Sequence, residues 1–297
     1  MKEAVIDITG LSKFYGKVRG IEHVNLEVSE GDIFGFIGPN GAGKSTAIRI
    51  LLNLLFPDSG SARIMGMDVI RETKKIKKLV GYVPSDANAY SSMMVNDFLY
   101  YCGRFYGIQD DFNRIAELSA MFELDLKRKV SDLSMGNRKK VSIVQSLIHN
   151  PKLLILDEPT TGLDPLMQSV FFDLLRSESQ KGMTIFFSSH ILGEVQSICK
   201  KVAIIKEGKI IQTEDIETLR KKQLKKISVE FRDADKSIQE ILNIRGIEGV
   251  INSNADILSF MYSGGINELI SLLSGKAIVN LTIEEPSLEE IFMHYYK

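Results

Sequence analysis

Apolar and polar positions fall into distinct rhythms along the chain. Residues 4–9 and 21–30 alternate apolar with polar side chains around Gly16 and Gly20, a period of two that predicts an antiparallel pair or meander. Asp32-Ile33-Phe34-Gly35-Phe36-Ile37 is a short apolar run that reads as a buried strand, and Thr46 to Leu52 reads as a helix behind it. From about Val95 to Ile148 the spacing becomes helical, as in Phe98, Leu99, Cys102 and Phe105 or Val141, Val144, Gln145 and Ile148, so a helical insert is expected at about 88–150. Apolar strand runs return at 153–156, 184–187 and 202–205 with a helix pattern between each pair, which predicts a parallel sheet with crossover helices.

The charged stretch Asp215 to Lys226 reads as helical and precedes a change of rhythm, so a boundary is placed near residue 224. Beyond it, strands are expected at Ile227 to Phe231, Gly249 to Ile251, Ile257 to Tyr262 and Ile278 to Ile283, with helices at Ser237 to Leu242 and Ile266 to Leu273. That β-α-β-β-α-β order suggests a ferredoxin-like split fold, closed by a last helix from Ser287. The expected fold class is therefore α/β. Residues 1–223 would combine a parallel-sheet core, an antiparallel β subdomain and the helical insert, and residues 224–297 would form a small α+β accessory or regulatory domain.

Composition narrows the setting. The 37 basic and 38 acidic residues leave a formal charge of −1, so no overall field recruits nucleic acid or a membrane, and no nucleic-acid partner is expected. The basic runs Arg71 to Lys78, Arg138-Lys139-Lys140 and Arg220 to Lys226 read as solvated helix faces, with a partner or anionic-lipid contact as the alternative. Cys102 and Cys199 are far apart and lack metal or redox spacing, which points to free thiols in a reducing compartment. The N-terminus has no long apolar core and no run of about 18 apolar residues occurs, so the chain is not expected to cross a membrane by itself.

The chemistry begins at residues 38–45, Gly-Pro-Asn-Gly-Ala-Gly-Lys-Ser, which match the phosphate-binding pattern G-x-x-x-x-G-K-[ST] between a strand and a helix. Gly38, Gly41 and Gly43 let the backbone turn N–H groups toward phosphate oxygens, Lys44 reaches the β- and γ-phosphates, and the Ser45 hydroxyl suits Mg²⁺. A Gly-rich turn before an ordinary helix is the bland alternative. The strand Leu153-Leu154-Ile155-Leu156 ends in Asp157-Glu158-Pro159, and adjacent carboxylates at a buried strand end must be paired or hydrated. Asp157 can hold Mg²⁺ through its water shell while Glu158 polarises the attacking water, against the reading of solvated acids at a strand end. His190, after Phe186-Phe187-Ser188-Ser189, is a surface histidine or, as a third strand-end polar group, a γ-phosphate sensor.

Taken in order, Gly38 to Thr46, Leu133-Ser134-Met135-Gly136-Asn137, Leu156-Asp157-Glu158-Pro159, Gly162-Leu163-Asp164 and Ser189-His190 resemble the motifs of an ATP-binding cassette (ABC) transporter ATPase, over about residues 4–220. The resemblance implies a P-loop NTPase cassette that hydrolyses ATP with Mg²⁺ and pairs head to tail with a second cassette, as a homodimer or heterodimer. It also implies nucleotide contacts from Gly38, Pro39, Asn40, Gly41, Ala42, Gly43, Lys44, Ser45 and Thr46, and adenine stacking by Tyr15. Ser134 and Gly136 would complete the partner's γ-phosphate site and Asp164 would link the two sites. Without the resemblance Tyr15 is a strand-end aromatic and Ser134 a helix N-cap.

Two positions depart from the family pattern. Ser85 stands where the family usually has Gln touching metal and attacking water; a hydroxyl could act through one water, or Asp86 or Asn88 could substitute. Met135 and Asn137 replace the usual Gly and Gln of the signature. Both features, with the tail Pro286 to Phe292, resemble exporter-type cassettes. The implied assembly is a cytoplasmic ATPase subunit, peripheral on the inner face of the cell membrane, with a separate integral-membrane permease that forms the translocation path. The alternatives are a weakly hydrolysing nucleotide-gated regulatory module and a soluble ABC-type protein acting on ribosomes or DNA; the single motif set and the 90 positions between Lys44 and Ser134 speak against the latter.

Overall fold

The computed structural model describes residues 3–86, 92–108, 112–221, 225–232, 241, 245–253 and 256–284. They belong to two compact units, 1–214 and 215–297. In the first, β1 (Ala4–Tyr15) and β2 (Val18–Ser29) form the expected antiparallel pair. It is extended by β4 (Ser59–Ile64) and β5 (Met67–Asp68) into a sheet of order β2-β1-β4-β5. The alternation has its usual cause: Val24, Leu26 and Val28 are buried while Asn25 and Glu27 face solvent.

The second sheet contains β3 (Ile33–Ile37), β6 (Val80–Val83), β7 (Leu153–Asp157), β8 (Thr184–Ser189), β9 (Lys201–Lys206) and β10 (Lys209–Asp215) in the order β10-β9-β3-β8-β7-β6. The β3, β6, β7, β8 and β9 pairings are parallel, and every residue of β3, β7 and β8 is buried, which is why these strands read as unbroken apolar runs. Helices α6 (Pro165–Gln180) and α7 (Leu192–Ile198) make the crossovers. Helix α1 (Lys44–Leu51) contributes Ala47, Ile48, Ile50 and Leu51 to one core with the inner faces of both sheets. Short α2 (Thr73–Lys77) leads into β6.

The helical insert holds α3 (Val95–Phe105), α4 (Asn113–Met121), a 3-10 turn at Val130–Asp132 and α5 (Met135–Leu147). Phe98 and Leu99 face inward as expected, but Phe105, at the last residue of α3, is 72% exposed. It packs edge-on to Tyr101 along an open groove of about 580 Å³ shared with Lys74, Lys77 and Lys78. No helix among the described residues is long and apolar enough to cross a membrane.

The second unit comprises α8 (Ile216–Lys221), β11 (Lys225–Phe231), β12 (Ile247–Ser253), β13 (Ile257–Tyr262), α9 (Ile266–Leu273) and β14 (Ile278–Glu284). Its antiparallel sheet, of order β12-β13-β11-β14, has the order and directions of the expected split fold, around a core that includes Ile227, Phe231, Phe260 and Leu269. The charged stretch is not helical to its end: Lys225 and Lys226 open β11, opposite Tyr262 and Met261, because the strand ladder claims them. Of the helix expected at 237–242 only Ile241 is described, and it is helical and buried; Asn88 and the helix from Ser287 lie outside the described residues.

Candidate nucleotide-binding site

Strand β3 delivers the chain into the glycine loop, and the three glycines are needed for different reasons. A Cβ on Gly38 would strike the Ile205 carbonyl, so this residue lets the loop pass close to β9. Gly41 has φ +78° with open space around it, a pure backbone requirement. Gly43 has φ +106°, and a Cβ there would sit 2.5 Å from the Gly20 carbonyl. The loop then opens α1, which has no side-chain cap and no acidic residue in its first turn. An uncapped helix N-terminus behind a glycine cradle suits a phosphate. Lys44, almost fully buried, donates from Nζ to the carbonyls of Gly38 (2.8 Å) and Pro39 (3.2 Å).

The strand-end carboxylates have separate environments. Asp157 is 1% exposed and accepts at Oδ1 from the Ser188 hydroxyl (2.8 Å) on neighbouring β8, which orients it. Glu158 turns into the left-handed region at φ +48°, where its N–H donates to the Ser188 carbonyl (3.1 Å). A bulky residue held there is strained, and the surroundings must fix it. Its Oε1 lies 3.2 Å from His190 Nδ1 and 3.4 Å from Lys44 Nζ.

Lys44 and Glu158 border a cleft of about 300 Å³ lined also by Tyr15, Val18, Arg19, Gly20, Asn40, Gly41, Gly43, Ser45 and Thr46. Tyr15 is half exposed with its hydroxyl 3.5 Å from Thr46 Oγ1. Ala42 is buried beneath the loop. Gly20 lies inside β2, and a Cβ there would meet Tyr15 Cε2 at 2.8 Å. An isolated glycine in an alternating strand signals such a close approach. The donor set fits ATP with Mg²⁺: a glycine cradle, a buried lysine, the Ser45 hydroxyl and an oriented carboxylate on Asp157.

Of the candidate residues, Gly38, Pro39, Ala42, Ser85, Ser134, Gly136, Asp157, Asp164 and His190 are not in the lining of this cleft. Ser134 caps α5, accepting from the Asn137 N–H (3.3 Å), and Asp164 caps α6, accepting from the Met167 N–H (3.0 Å). Gly136 abuts the Gly162 carbonyl so closely that a Cβ would clash. Ser85 presents its backbone carbonyl to Lys139. The expectation that Arg138-Lys139-Lys140 forms a solvated face is overturned at two positions. Lys139 is fully buried and Lys140 nearly so, because α5 turns this side toward the strand ends.

A parallel sheet whose strand ends gather a glycine loop, a lysine and paired carboxylates defines a P-loop nucleoside triphosphatase. The comparisons go further. Residues 21–161 match the ABC transporter family. The bacitracin transport ATP-binding protein BcrA of Bacillus licheniformis is 33% identical over 297 residues, covering 97% of this chain and 96% of its own length. The ABC transporter ATP-binding protein NatA of Bacillus subtilis is 35% identical over 207 residues, 68% of this chain and 84% of its own. A solved ATP-binding subunit of an ABC transporter superposes with a TM-score of 0.69 at 28% identity, over 73% of this chain and 92% of that one. A dimeric cassette bound to ADP and Pi shares the fold, with a TM-score of 0.66 at 24% identity over 71% and 98% of the two chains. The chain belongs to the ABC transporter ATP-binding protein family; it is an ATP-binding cassette and a transport ATPase.

Proposed function

We propose that this ATPase powers export through a separate integral-membrane permease, working on the cytoplasmic face of the cell membrane as one of a pair of cassettes. The observation that carries the catalytic part is the shared position of Glu158 Oε1 between His190 and Lys44 beside the glycine loop. In this reading Glu158 polarises the attacking water, His190 holds that carboxylate and senses the γ-phosphate, and Lys44 contacts the β- and γ-phosphates. Ser45 and the Ser188-oriented Asp157 would hold Mg²⁺, which supplies charge neutralisation at the phosphates. Tyr15 stacks on the base, residues 38–46 bind the phosphates, and Ser85 reaches the site through water. Ser134 and Gly136 serve the partner's nucleotide, and Asp164 links the two sites.

Residues 1–223 would act as the cassette and 224–297 as an accessory or regulatory domain. The permease contact is assigned to the 85–106 region. The exposed Tyr101 and Phe105, rimmed by Lys74, Lys77 and Lys78, offer an aromatic surface with a basic border there. The relatives named for bacitracin transport and linearmycin resistance support the export direction. Affinity purification of the tagged chain from detergent-solubilised native membranes tests the reading. Recovery of a multi-spanning protein in near-equal amount is the expected result, and recovery only from the soluble fraction with ribosomal, nucleic-acid or no partners would overturn it.

A further inference from the structure

Lys139 is an unusual place for a charge. Its side chain is fully buried, yet it lies one turn into α5, inside a run of three basic residues. Each of its three ammonium hydrogens can meet a backbone carbonyl: Ser85 at 2.7 Å, Pro84 at 2.8 Å and Glu158 at 3.3 Å. Two of these acceptors belong to the loop after β6 and the third to the turn after β7, so one side chain from the helical insert joins two strand ends of the core sheet. Burial pushes the Lys139 pKa down, while Asp157, Asp86 and Glu158 pull it back up. Burying an ammonium is expensive, and a packing role alone would be served by an apolar side chain of similar length.

A second contact follows the same route. Gly136, in the first turn of α5, rests against the Gly162 carbonyl four residues beyond Glu158. The start of α5 therefore touches the Glu158 segment at two points, and Glu158 is the residue whose φ of +48° has to be held by its surroundings.

We propose that Lys139 is a positioning residue for hydrolysis, its ammonium holding the Glu158 backbone and the Pro84–Ser85 loop as one unit so that the setting of Glu158 follows the first turn of α5. The inference rests on the reading of Glu158 as the residue that polarises water. Removal of the ammonium frees the Glu158 turn without touching the phosphate loop, so turnover suffers and nucleotide affinity does not.

The test uses the full chain with Lys139→Met, which leaves the three carbonyls without a donor, and Lys139→Gln, whose amide still serves two of them. Steady-state ATP hydrolysis, binding of a fluorescent ATP analogue and hydrogen exchange over 84–86 and 157–162 are compared. Lys139→Met should lower kcat by about 10–100-fold, as misplacement of a catalytic group does, with KM and analogue affinity within about threefold. Exchange should quicken in both segments, and Lys139→Gln should fall between wild type and Lys139→Met. A wild-type kcat in Lys139→Met, or a joint fall in kcat and affinity with no selective gain in exchange over 157–162, overturns the proposal. If Lys139→Met does not fold, wild-type turnover and exchange in Lys139→Gln overturn it equally. Glu158→Gln, measured alongside, separates the two readings: if it hydrolyses normally, the role of Glu158 falls, while the exchange data still decide whether Lys139 ties the two segments.

Discussion

Glu158 and His190 meet across the ends of two neighbouring parallel strands, with 3.2 Å between Oε1 and Nδ1. With Nδ1 protonated, the imidazole donates to the carboxylate and fixes its direction, while Lys44 stands 3.4 Å from the same oxygen. In the proposed reading the carboxylate does the chemistry and the imidazole keeps it aimed. Glu158→Gln should keep nucleotide binding within a few-fold and lower kcat by about 10²–10⁴-fold, the usual contribution of a general base. His190→Ala should lower kcat by less, about 10–10²-fold, because the orientation of Glu158 and a γ-phosphate contact are lost while the base itself remains. Steady-state hydrolysis with parallel nucleotide titration checks both, and a His190→Ala defect equal to that of Glu158→Gln would contradict the division of labour.

The glycine loop offers a contrast between two positions that sequence alone treats alike. Gly41 and Gly43 both have positive φ, but a side chain at Gly41 meets open space and one at Gly43 meets the Gly20 carbonyl and Ile21. Gly41→Ala should therefore cost about 1–2 kcal/mol, the backbone term alone. Gly43→Ala adds a backbone clash, and a loss of about 3 kcal/mol is expected, visible as a melting temperature lower by roughly 5–10 °C. Equal melting temperatures for the two variants would show that the Gly20 approach does not constrain the loop.

The parts of the site that were legible in the sequence are those whose chemistry is local. The spacing of Gly38, Gly43, Lys44 and Ser45 declares a phosphate loop without reference to any distant residue, and Asp157-Glu158 betrays itself as charge at the end of an apolar strand. The sheet order β3-β8-β7 then does what no local pattern reveals. It sets Ser188 beside Asp157, 31 residues away, and both the Asp157 side chain and the Glu158 N–H depend on that neighbour. Lys139 was misread for the opposite reason. A run of three basic residues looks solvated, and only the packing of α5 over the strand ends reveals three carbonyls waiting for an ammonium. In the second unit the apolar character of 227–231 and 257–262 was strong enough to place both strands, yet it did not reveal that Lys225 and Lys226 belong to the ladder, because a charged strand start resembles the end of a charged helix. Ser134 and Asp164 have local work as helix caps, which is how Ser134 reads without any relative in view, whereas the cap at Asp164 is visible only in the structure.

His149 gives the fold a pH dependence of known sign. The ring lies flat on Tyr106, with centroids 3.7 Å apart, and neither ring nitrogen has a hydrogen-bond partner in good geometry. Burial pushes its pKa down to about 4, against a weaker upward pull from the Val80 backbone. Between pH 6.5 and 4 the unfolded chain binds more protons at this residue than the folded one, so stability falls as pH drops through that window and is fully present above it. From pH 7 to pH 5 the expected loss is about 1–2 kcal/mol after allowance for the ring's partial exposure. His149→Phe keeps an aromatic face against Tyr106 and removes the titration. Urea unfolding of both proteins at pH 7 and pH 5 should therefore give a wild type that loses this much more than the variant; identical losses would mean that His149 binds protons equally in the folded and unfolded states and that the pH dependence arises elsewhere.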